Sequence, residues 1–169
     1  MPSKPPRISL SWLPSAAKLE MDFLDSSFFQ SRDPYKHLPA PTEVRDLSKQ
    51  PKPQPDPVKF EELGLIVKFG PHVTVEEALC IWAIRGLLRN GVPVPEVYGW
   101  RVDGSEVFIY MELIEGDTLK DRWDGLGDDD KISICNQLQK ITTSFRGLEQ
   151  DPEDMFIGVG PCLSSVDTD

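Results

Sequence analysis

Apolar and polar positions alternate with two different periods along this chain, and the changes of period mark its elements. The run Leu65-Ile66-Val67-Lys68-Phe69-Gly70 sets a single lysine among apolar residues, two of them β-branched, between Gly64 and Gly70, which predicts a strand. Successive strand side chains face opposite ways, so Lys68 shares a face with Ile66 while Leu65, Val67 and Phe69 point the other way. Val58-Lys59-Phe60 and a turn ending at Gly64 supply the partner strand of a hairpin. The period then lengthens. Thr74 and Glu77 have the spacing of a capping box, and residues 78–88 are apolar on almost every side except at Arg85, which predicts a buried or sandwiched helix. Asn90-Gly91 ends it, and Pro93 and Pro95 prevent its resumption.

Residues 96–102 and 105–113 read as two more strands around an Asp103-Gly104 hairpin turn. Leu119, Trp123 and Leu126 mark a short helix. Ile134, Leu138, Ile141, Phe145 and Leu148 then recur at helical spacing, after Asp128, Asp129 and Asp130 at a helix start where negative charge is favoured. That acidic triplet reads as a solvated helix start in preference to a metal site. Residues 151–169 show no periodicity. Upstream of residue 58 the pattern is thinner. Residues 1–14 are proline-rich and irregular, residues 16–30 predict a helix with Leu19, Phe23, Leu24, Phe28 and Phe29 on one broad face, and residues 39–47 predict a second, short helix. Prolines at 51, 53, 55 and 57 predict an extended linker, so residues 1–57 are expected to be a leader and the organised domain to begin near Val58.

Composition narrows the function classes. Most of the 16 prolines lie before residue 60, which leaves little more than a hundred of the 169 residues for one small folded domain. The net charge of −10, from 28 acidic and 18 basic residues without a basic run, argues against a nucleic-acid or anionic-membrane partner. No segment is apolar for long enough to span a bilayer, and the N-terminus lacks the continuous apolar core of a signal peptide, so a cytoplasmic location is expected. Cys80, Cys135 and Cys162 are widely spaced and odd in number. They read as reduced thiols, the first two as small buried hydrophobes within helices.

The order strand, strand, helix, strand, strand, connector, helix resembles the smaller lobe of the protein-kinase-like fold. The wording of the segments is similar to the aminoglycoside phosphotransferase family, especially its fungal-type members. The matching pieces are Leu65-Ile66-Val67-Lys68-Phe69-Gly70, Val75-Glu76-Glu77-Ala78, Val92-Pro93-Val94-Pro95-Glu96-Val97-Tyr98-Gly99-Trp100, Phe108-Ile109-Tyr110-Met111-Glu112-Leu113-Ile114-Glu115-Gly116 and Phe156-Ile157-Gly158. The resemblance implies an α+β fold: a kinase-like N-lobe with its hinge over residues 58–116, then the first helices of an incomplete C-lobe over residues 117–169.

What the resemblance implies for chemistry is specific. In such a lobe a strand lysine, here Lys68, neutralises the α- and β-phosphates of ATP and is braced by a helix acid, here Glu77. Glu76 is the alternative acid, because the short connection leaves the rotation of the helix open. Without the resemblance, a lysine reaching out from a strand edge and a glutamate completing a cap account for the same two residues. Met111 would back the adenine pocket, and the Glu112 carbonyl and Ile114 N–H would bond the adenine edge, although an edge strand meeting a turn has the same wording. The acid that positions an acceptor hydroxyl and the groups that hold Mg2+ belong in this family to an H-G-D-x-x-x-x-N segment and a later aspartate. Neither His37 nor His72 begins such a segment, Gly158-Val159-Gly160 lacks the glycine and helix of a phosphate loop, and only Gly64 is available for a glycine-rich strand turn. The expectation is therefore a nucleotide-facing lobe, catalytically incomplete as this chain, whose fuller form phosphorylates a small-molecule hydroxyl. A non-catalytic nucleotide-binding or interaction remnant is the alternative, and an exposed lobe interface would promote self-association.

Overall fold

The computed structural model describes residues 7–31, 36–48, 55–88 and 91–150. In chain order the elements are β1 (Arg7–Ile8), β2 (Glu20–Asp22), α1 (Pro41–Leu47), β3 (Val58–Phe60), β4 (Leu65–Gly70), α2 (Val75–Leu87), β5 (Val97–Asp103), β6 (Glu106–Glu112), α3 (Leu119–Arg122), α4 (Asp128–Arg146) and β7 (Glu149–Gln150). The fold is α+β, built on a five-stranded sheet of order β2-β5-β6-β4-β3 in which every neighbouring pair is antiparallel.

Strand alternation divides the core in two. Leu65, Val67, Phe69, Phe108 and Tyr110 face one side, where Phe28, Leu38 and Val44 of α1 cover them. Val97, Trp100 and Ile109 face the other, under Val75, Ala78 and Leu79 of α2 together with Phe23 and Val73. Burial of these side chains is the main force holding α1 and α2 to the sheet.

The segment expected to be an outlying leader is part of this core. Residues 16–30 do not form a helix: Glu20–Asp22 pairs with the open edge of β5, Glu20 opposite Arg101 and Asp22 opposite Gly99. The apolar residues that imitate one helical face are shared between the two core layers, Phe23 on the α2 side and Phe28 on the α1 side. Pairing to a ready strand edge has overridden a weak helical pattern. The short helix over residues 39–47 does form, as α1, and Arg45 fastens it: its guanidinium donates to Asp103 at 2.6 Å and to Glu106 at 2.9 Å while lying 4.9 Å over the Phe108 ring. The bond to Asp103 raises the Arg45 pKa, outweighing the opposing effect of burial. The organised fold thus begins well before Val58. Most of the proline linker, residues 49–54, lies outside the described residues, as do Gly158-Val159-Gly160 and Cys162.

Three local expectations shift. Asp103 pairs with Glu106, so the hairpin turn is Gly104-Ser105, with Gly104 at φ +64°, one residue later than the wording indicates. Helix α2 is not sandwiched: Val75, Ala78, Leu79 and Ala83 are buried, but Glu76, Cys80 and Gly86 are exposed, because the sheet covers one side of the helix only. Cys80 and Cys135 are both exposed thiols, not core residues. The expected helix start at Asp128–Asp130 does form, and none of the α4 side chains is buried. Beyond α4, β7 pairs in parallel with β1, Arg7 opposite Glu149. Among the described residues no helix is long and apolar enough to cross a membrane.

Candidate functional site

The face of the sheet that carries α2 brings the predicted residues together. On β4, Leu65, Val67 and Phe69 are buried on the α1 side, which leaves Ile66 and Lys68 facing α2. Lys68 stands opposite Ile109, and Ile66 opposite Met111, so Lys68 and Met111 share one face of adjacent strands. Helix α2 starts only five residues after the strand ends. Thr74 occupies its N-cap with extended backbone, but no side-chain cap bond is made, and the capping-box reading fails. The Glu77 carboxylate has another partner: it accepts from the Lys68 ammonium in an ion pair. Glu76, the alternative acid, points into solvent. Both members of the pair keep about a third of their side-chain surface open to solvent (38% and 34%).

The end of β6 is fixed by backbone on both sides. Glu112 N–H donates to the Glu96 carbonyl at 2.8 Å, and Leu113 N–H donates to the Gly64 carbonyl at 3.0 Å. Ile114 follows, itself 62% exposed, and its N–H meets no acceptor among the described residues. Gly64, at φ +61°, closes the turn between β3 and β4 at the Glu112 end of the sheet. It braces the segment after β6 and does not form a loop over Lys68.

The chain matches no family model, no curated protein and no solved structure. What its site can do therefore rests on its own geometry.

One part of that geometry escapes the sequence reading. Arg85, the only cation of α2, reaches the end of β6: it donates to the Val94 carbonyl at 3.2 Å and lies 3.6 Å from Glu96 and 3.8 Å from Glu112. Glu112 in turn accepts from the Glu96 N–H at 3.1 Å, and Glu96 from the Ser27 hydroxyl at 2.5 Å. The signal was the charge itself, since a cation within an apolar helix needs a partner. Helix α2 is thereby tied to the sheet twice, near its start through Glu77 and near its end through Arg85. Among the described residues no three His, Cys, Asp or Glu side chains converge to hold a metal ion, and an open groove on α4 lined by Asn136, Gln139, Lys140, Thr143 and Ser144 shares no residue with the Lys68 site.

Proposed function

We propose that these residues form the nucleotide-binding part of a small-molecule phosphotransferase of the protein-kinase-like, aminoglycoside phosphotransferase type, with ATP as the bound nucleotide. The ion pair between Lys68 and Glu77 carries this reading. A carboxylate that braces an ammonium limits its rotamers, and a lysine side chain that stays partly open to solvent can then meet the phosphate oxygens of ATP. Supporting it are the strand order β5-β6-β4-β3, the position of α2 between β4 and β5 in the chain, and Met111 on the Lys68 face. The Ile114 N–H and the Glu112 carbonyl would take the adenine edge.

Phosphoryl transfer needs two further contributions, an acid that positions the acceptor hydroxyl and acids or amides that hold Mg2+. The described residues offer no such cradle. The proposal for this chain is accordingly nucleotide binding, with transfer to a hydroxyl acceptor assigned to a form that supplies those groups. A second reading, a protein-interaction remnant of the same fold, draws on the exposed Leu138 and Phe145 in the apolar stripe of α4.

A melting experiment separates the two. Mg·ATP at ten to a hundred times its Kd should stabilise the protein by about 1.4–2.7 kcal/mol and raise Tm accordingly, and Lys68→Ala should remove the rise. A wild-type melting curve unchanged by millimolar Mg·ATP overturns the nucleotide reading. Concentration-dependent sedimentation without any nucleotide response would favour the interaction remnant.

A further inference from the structure

Helix α4 buries none of its side chains, yet Ile134, Leu138, Ile141 and Phe145 follow one another at intervals of four, three and four residues and so line one side of it. The two flanks of this stripe differ. Ser144 is turned toward the chain's own body, where a Cβ added at Gly91 would lie 3.1 Å from its hydroxyl. Ile134 and Ile141, nearer that side, are half-buried. Leu138 and Phe145 lie more than a quarter turn round from Ser144 and are 51% and 38% exposed. Farther round, Cys135 and Thr142 are exposed as well. The Thr142 hydroxyl already donates to the Leu138 carbonyl at 2.9 Å, so packing against it leaves no donor unmet.

The residues around Leu138 are placed for a copy of themselves. Phe145 stands seven residues after it and Lys131 seven before, with the Lys131 ammonium 5.6 Å from the centre of the exposed Trp123 ring. Asp128 and Arg146 are 18 residues, or five turns, apart, so both edge the stripe on the flank away from Ser144, and Leu138 is nearly midway between them. An antiparallel copy seated with Leu138 on Leu138 brings each Phe145 level with Lys131 and Trp123 of the other copy. At a rise of about 1.5 Å per residue, each Arg146 comes within about 3 Å of the level of Asp128. Every match recurs across the two-fold axis, as an interface between like chains requires. A parallel copy would instead set Asp128, Asp129 and Asp130 of both chains together and align the two helix dipoles.

We propose that α4 is a homodimer interface in which two copies pair antiparallel about Leu138, with Phe145 packed beside Trp123 of the other copy and Asp128 facing Arg146. The proposal rests on the interaction reading given above, for which it names a second copy of the chain as the partner, and it is independent of nucleotide binding. A contact of one helix and one indole per chain is small for a stable interface, so association is expected at roughly 10–100 μM.

Sedimentation equilibrium of the full chain under reducing conditions, from about 5 to 500 μM, should show a reversible monomer–dimer equilibrium. Leu138→Glu, at an exposed position, should weaken it by about tenfold or more while leaving the far-UV circular dichroism and Tm unchanged. Cross-linking reads the orientation. With Cys80, Cys135 and Cys162 replaced by serine, a chain carrying Asp128→Cys mixed with one carrying Arg146→Cys should be joined by a short bis-maleimide. Either chain alone should not, because like positions of an antiparallel pair lie about 24–30 Å apart along the helix axis. A monomer at every concentration overturns the proposal, since the chain then does not supply its own partner. A dimer that persists in Leu138→Glu, or that cross-links through Asp128→Cys alone, overturns this surface and orientation while the interaction reading stands.

Discussion

The indole N–H of Trp100, at the centre of β5, donates to the backbone carbonyl of Lys18 at 2.9 Å. Two parts of the chain 82 residues apart are thereby joined, and the N-terminal segment becomes the outer edge of the sheet. Trp100→Phe removes this bond and part of a fully buried side chain, but Lys18 lies where water can replace the donor. The expected loss is about 1–3 kcal/mol in urea unfolding. Wild-type stability in that variant would mean that the N-terminal segment does not hold the sheet in solution.

Much of the sheet was legible because its strands carry their own boundaries. Leu65–Gly70 is bounded by glycines, and Leu65, Val67 and Phe69 fill the core on one face while Ile66 and Lys68, on the other, are only half-buried. The Lys68–Glu77 pair was legible for a related reason, since a short strand-to-helix connection leaves few acids within reach of one lysine. The N-terminal segment was not. Glu20–Asp22 is only three residues long and gains its structure from β5, and no window of local sequence reports the edge it will join. The missed cap at Thr74 has the same origin: the Glu77 side chain can serve the helix end or Lys68, and spacing alone does not choose. Arg85 was visible as an anomaly, but its partners Glu96 and Glu112 come from the far ends of two strands.

Gly99 occupies the closest approach between β5 and the N-terminal segment. A Cβ there would lie 2.2 Å from the Met21 carbonyl oxygen, 3.0 Å from a Leu38 methyl and 3.2 Å from the Asp22 carboxylate. Backbone cannot yield as a flexible side chain can, and the strand register is irregular at this point. Gly99→Ala is expected to break the pairing of β2 with β5 and to cost about 2–4 kcal/mol. Denaturant unfolding measures the loss, and hydrogen exchange at Asp22 and Arg101 should report that it starts at this edge.

Lys68 and Glu77 are open enough to solvent that their attraction is mostly screened. Lys68→Met and Glu77→Gln should therefore each stay within about 1 kcal/mol of wild-type stability, with a coupling energy of the same small size in a double-mutant cycle. This separates fold from function. Any loss of nucleotide response in these variants cannot then be assigned to unfolding, whereas a loss of several kcal/mol would make the pair a structural element first.

Tyr110 couples the core to pH. Its hydroxyl is buried and donates to the Pro39 carbonyl at 2.8 Å, and burial raises its pKa well above the ordinary tyrosine value, with Arg101 opposing the rise. Tyr98 is shifted in the same direction, again chiefly by burial. A phenol held neutral in the folded chain but free to ionise in the unfolded one contributes stability that is complete below the unfolded pKa of about 10 and declines as pH rises toward the folded value. Urea midpoints should accordingly fall above about pH 10, by up to about 1.4 kcal/mol per pH unit for each such tyrosine. Tyr110→Phe leaves the Pro39 carbonyl without its donor and should cost about 1–3 kcal/mol at neutral pH. It should also flatten the alkaline decline by the share of one group. The two effects have different readouts: an unaltered alkaline slope would show that Tyr110 ionises as readily in the folded chain as in the unfolded one, whatever the loss at neutral pH.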